Sequence, residues 1–165
     1  MPLKSHPPSP SESGFTLVEV LVGLVVVVAF VSTTMQALLT ATLFRVKGQE
    51  ISEATNWINQ DLEMVKYKAA QLGLVAGTYK PDPTACKSSS YATQLAQEIS
   101  TNAPVDANKS SAIGSRPYTL ARTTTPSSAS PNILEVSYTV TSASGQQIST
   151  RLAKVIPNVA LACPD

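Results

Sequence analysis

Histidine is all but missing from this sequence. The one copy, His6, sits among Pro2, Pro7, Pro8 and Pro10 in the opening stretch MPLKSHPPSPSESG, a composition too poor in apolar residues to pack. The rest of the chain therefore has no imidazole for acid–base catalysis or metal ligation. Charge is scarce too. Charged residues make up 14% and the net charge is +1, so neither a nucleic-acid binder's basic surplus nor an acidic tail is present. Aromatic residues amount to 5%, which limits any folded core to a small one. No P-loop, HExxH or GxSxG occurs. Asp82 and Asp106 cannot by themselves gather the six or so oxygen ligands that calcium takes. No catalytic residue, metal or cofactor is expected, which disfavours a membrane enzyme.

Proline is also absent from Phe15 to Lys80, and Gly23 and Gly48 are the only glycines between Phe15 and Leu72. Within Phe15 to Phe44 the polar side chains are Thr16, Glu19, Ser32, Thr33, Thr34, Gln36, Thr40 and Thr42 alone. Such a run exceeds the ~20 apolar residues that span a bilayer. Val25 to Val28 favours a helix only weakly, but in lipid a helix is the one open-ended way to satisfy the backbone. After Arg45 the pattern changes. Ile51, Ile58, Val65 and Leu72 recur every seventh residue, with Thr55, Leu62 and Ala69 between them. That spacing predicts an amphipathic helix with one face to bury. A helix from Phe15 to Leu72 would be ~87 Å long, so half of it must lie outside a bilayer core of ~30 Å.

Gly73, Gly77, Pro81 and Pro83 end that helix. Residues 92–100 predict a short helix. RPYTLARTTT, NILEVSYTVT and QISTRLAKVIP predict three strands, the second with Leu134, Val136, Tyr138 and Val140 alternating on one face. Gly145 marks the turn between the last two. The expected class is α+β: a long N-terminal helix whose stripe from Ile51 to Leu72 lies across a small antiparallel sheet. Four segments follow, at 1–14, 15–44, 45–76 and 77–165.

Glu19 is the anomaly. A carboxylate inside a membrane helix costs on the order of 3 kcal/mol on insertion scales, so it needs a partner or a position within snorkelling reach of the interface. Gly14-Phe15-Thr16-Leu17-Val18-Glu19 resembles the class III signal of type IV prepilins and pseudopilins. That signal joins a hydrophilic leader, a cleavage-site glycine, a phenylalanine and a glutamate as fifth residue of the mature chain. The resemblance implies that a prepilin peptidase cuts between Gly14 and Phe15 and that Phe15 becomes N-methylated. It implies a bacterial inner-membrane protein, single-pass before assembly, that then packs its helix with other pilin subunits in a pilus or periplasmic filament. Thr16 and Glu19 would serve assembly, with Glu19 facing the N-terminal amine of a neighbouring subunit. No proline precedes Pro81, the leader is long and weakly basic, and FTLVEVLV is closer to minor pilins than to major ones.

Cys86 and Cys163 form no CxxC or metal-ligand spacing. With the apolar segment they suggest export and one disulfide, closing a loop of about 78 residues worth ~4 kcal/mol in the chain-entropy account. The alternative is two free thiols in the cytosol. Lys109, Arg116, Arg122, Arg151 and Lys154 could make a basic strip on the head, although scattered basic residues usually only keep a surface soluble. Such a strip would suit a DNA-capturing, competence-type subunit. A type II secretion pseudopilin is the other alternative.

Overall fold

The computed structural model describes residues 16–112 and 115–164. Helix α1 runs over Leu17–Gln71, and the chain divides into two compact units after Arg45. In the first unit no described side chain is buried, and the large apolar residues from Leu17 to Phe44 are 55–82% exposed. This stretch is long and apolar enough to cross a membrane. Its hydroxyls turn inward on the helix's own backbone. Ser32 Oγ donates to the Val28 carbonyl at 2.8 Å, Thr34 to Phe30 at 2.8 Å, Thr40 to Gln36 at 2.9 Å and Thr42 to Leu39 at 2.7 Å. Thr33 reaches the Ala29 and Phe30 carbonyls. These bonds hide hydroxyl polarity that lipid would not solvate.

The second unit begins with the amphipathic half of α1. A two-stranded hairpin follows, β1 (Leu74–Val75) with β2 (Thr78–Tyr79), then α2 (Pro83–Ser88) and α3 (Tyr91–Asn102). Strands β3 (Asn108–Ser110), β4 (Pro117–Pro126), β5 (Leu134–Ser142) and β6 (Gln147–Val155) form an antiparallel meander in that order. A short 3-10 helix, Asn158–Ala162, completes the described chain. The α+β class and a long apolar helix with an antiparallel sheet are as expected from the sequence.

Alternation places Tyr118, Leu120, Leu134, Val136, Tyr138 and Val140 on one face of the sheet. Against them α1 buries Ala54, Ile58, Leu62, Val65 and Ala69, and α3 buries Ala92, Leu95 and Ile99. Of the expected stripe Ile58, Leu62, Val65 and Ala69 are buried, while its ends depart: Ala54 is buried instead of Ile51, which is 50% exposed, and Leu72 is half-buried. The sheet has four strands rather than three. β3, with the sequence NKS, carries no β-branched or aromatic residue to announce it. α2 was unforeseen as well, although Asp82 caps it by accepting from the Thr84 amide at 2.7 Å and Pro83 opens it.

A charged cluster locks these layers together. Arg122 on β4 donates to both carboxylate oxygens of Asp61 on α1, at 3.0 and 2.8 Å. Its other terminal nitrogen donates to the Ile99 and Ala103 carbonyls at the end of α3, at 3.1 and 2.7 Å. Tyr138 on β5 donates to Asp61 at 2.7 Å. Burial, reinforced by that carboxylate, pushes the Tyr138 phenol well above its ordinary range and keeps it a donor.

A second, smaller core joins Ala85, Tyr91 and Val159, with the disulfide Cys86–Cys163 beside it. Gly73 is what lets the C-terminal segment close on it. Its φ is +70°, and a Cβ there would come within 2.5 Å of Val159 Cγ2. Gly73→Ala should therefore cost about 1–3 kcal/mol from overpacking on top of the left-handed strain of ~1–2 kcal/mol. Gly77→Ala, with φ +81° but open space around it, should cost the strain alone. Denaturation followed by Trp57 fluorescence would compare the two. Equal midpoints would mean that Val159 does not depend on the gap.

Candidate assembly site

The site starts with a cap. Thr16 precedes α1, and its carbonyl accepts from the Glu19 and Val20 amides at 3.0 and 3.3 Å. Its hydroxyl also accepts from the Glu19 amide, at 3.3 Å. A threonine followed three residues later by glutamate is the sequence pattern of a capping box. Here the threonine half of that exchange is present. Glu19 thus lies in the first turn of the helix, where unpaired amides favour a negative charge. Gly14 and Phe15, the expected cleavage and methylation residues, lie outside the described residues.

The hydroxyls of the apolar stretch are answered within their own helix. Among the described residues of that stretch, the side chains of Glu19 and Gln36 have no such answer. The sequence reading singled out Glu19 and passed over Gln36. The available signal was a carboxamide that is too long to fold back as Ser and Thr do. Both are the kind of group that must find a partner on another helix once water is removed.

The five basic residues of the expected strip have no such freedom. Lys109 pairs with Asp106 at 2.7 Å, Arg116 with Glu50 at 2.9 Å and Lys154 with Glu135 at 3.0 Å. Arg122 is taken by Asp61, and Arg151 donates to the Asn59 side chain. Lys109 and Lys154 hold the Asp106 and Glu135 carboxyls below the usual range. The five residues make no unopposed strip. Arg122 in particular is 5% exposed.

Residues 9–35 match the family described as the prokaryotic N-terminal methylation motif. The match supports a type IV pilin-like family. The match spans the segment that carries Thr16 and Glu19 and stops short of the head. No curated protein and no solved structure matches the chain. The motif and the apolar helix together support a prepilin-type subunit, pilin or pseudopilin, anchored in the inner membrane before assembly. The class III signal implies a prepilin peptidase and other pilins as partners.

Proposed function

We propose that this pilin-like chain is a minor subunit of a type IV pilus-like filament, entering it through its N-terminal helix. The observation that carries the reading is the unanswered Glu19 in the first turn of a helix whose hydroxyls are otherwise satisfied. An acid in that position suits a cationic partner buried beside it, and the amine of a neighbouring Phe15 would be one. Gln36, further along, would add an amide contact between packed helices, worth ~1 kcal/mol in lipid-like surroundings.

On this reading the peptidase removes residues 1–14 and methylates Phe15. Terminal peptides from the membrane and sheared-filament fractions should begin at N-methyl-Phe15 by mass spectrometry. Gly14→Leu should leave the precursor intact and confined to the membrane. A chain that still carries residues 1–14 in filaments would overturn the proposal.

A further inference from the structure

Of the six asparagines in the chain, only Asn108 is followed two positions later by serine or threonine. Asn108-Lys109-Ser110 is the acceptor pattern for an N-linked glycan, which requires an exposed asparagine in an exported protein. The same three residues are the whole of β3.

Its place in the fold suits an acceptor. Asn108 and Ser110 are both exposed, while Lys109 between them is half-buried against Asp106. Residues two apart share a face of a strand, so carboxamide and hydroxyl stand side by side. Their partners across the ladder, Thr119 and Pro117, are exposed as well. This puts the pair on the face of the sheet opposite α1 and α3. No described side chain holds the Asn108 carboxamide. β3 is an edge strand paired only to β4, through three residue pairs, and it adds no residue to the buried core. Such a segment opens at low cost compared with the central strands, and an enzyme needs it open to thread the backbone past its site.

We propose that Asn108 is a glycosylation site, modified after the head reaches the outer side of the inner membrane. The donor would be an oligosaccharide linked to a lipid pyrophosphate. The Asn108 amide nitrogen attacks the anomeric carbon, forming a C–N bond. The bond from that carbon to the pyrophosphate oxygen breaks, the lipid pyrophosphate departs, and the transferase takes the amide proton. The Ser110 hydroxyl is read by the enzyme beside the amide.

The test is intact-mass and fragment-ion analysis of the full chain from its native host, membrane and filament fractions alike. The peptide holding Asn108 should carry a saccharide mass. Asn108→Gln and Ser110→Ala should each abolish it, and Ser110→Thr should keep it. Both loss variants change exposed side chains, so thermal unfolding should match wild type. A protease-accessible, exported head with no saccharide at this peptide would overturn the proposal and leave the filament reading standing. Retention of the same mass in Asn108→Gln would overturn it as well. A head that stays protected inside the cell would sink the filament reading itself, and with it the export on which this inference rests.

Discussion

Arg122→Met should lower the stability of the head by about 3–5 kcal/mol, the range for breaking a buried ion pair from one side. For a unit of this size that is a fall in Tm on the order of 15 °C. Arg122 and Asp61 are 5% and 12% exposed, and the guanidinium serves four acceptors on two elements. Methionine fills comparable volume but leaves the Asp61 carboxylate without its counter-charge, with Tyr138 as its remaining donor, and takes the guanidinium away from the Ile99 and Ala103 carbonyls. Arg122→Lys should recover only part, because a point charge cannot bridge Asp61 and the helix end together as a planar fork does. Removing both charges, as Asp61→Leu with Arg122→Met, should be milder than the single change, since no buried charge is then left alone. Trp57, the single tryptophan, packs 5.7 Å from the Tyr118 ring and reports the unfolding of this core. A single-variant loss below about 1 kcal/mol, the surface-pair range, would show that the cluster is a bystander.

Glu19→Gln should be cut and inserted normally, because a neutral amide costs less than a carboxylate in lipid. Its entry into filaments should collapse. If the acid neutralises an amine buried among apolar helices, removing it costs about 3–5 kcal/mol at each contact, or well over tenfold in the assembled fraction. Glu19→Asp should restore little, since it retains the charge without the reach. The ratio of subunit in sheared filaments to subunit in membranes measures this directly. An unchanged ratio for Glu19→Gln would assign the carboxylate to the membrane interface instead.

Much of this molecule is legible from its sequence, and the exceptions have physical causes. The apolar stretch and the amphipathic half of α1 are long, so their periodicity averages over many turns. Even so, the heptad drawn through Ile51 holds the buried face only at Ile58 and Val65 and leaves it at its ends, because a straight helix turns 3.6 residues rather than 3.5. β4 and β5 alternate Tyr, Leu or Val with Thr, Ser and other residues, and β6 is marked by its Ile, Thr, Leu and Val. β3 is not, since a three-residue edge strand is held by its neighbour's backbone and not by its own side chains. The strip of basic residues failed for a different reason. Counting Lys109, Arg116, Arg122, Arg151 and Lys154 ignores the acceptors that lie far off in sequence, such as Glu50, Asn59 and Asp61. The motif at Gly14 to Glu19 was readable because it is short and contiguous, and it lies within the matched residues 9–35.

The Cys86–Cys163 bridge also decides how the head bears tension. β6 is an edge strand joined to β5 as a hairpin, and a hairpin pulled from its free end opens rung by rung. Without the bridge, a pull on the last residues would draw Val159 out of the smaller core, then load the Leu134–Val155 rung and peel the ladder from there. With it, the force passes through sulfur to α2 and on toward the end of α1, bypassing the sheet. The sheet then carries load only after a covalent bond has failed. Tethering this chain by its C-terminus in a force spectrometer should thus give one stiff response when oxidised and a low-force unzipping step when reduced.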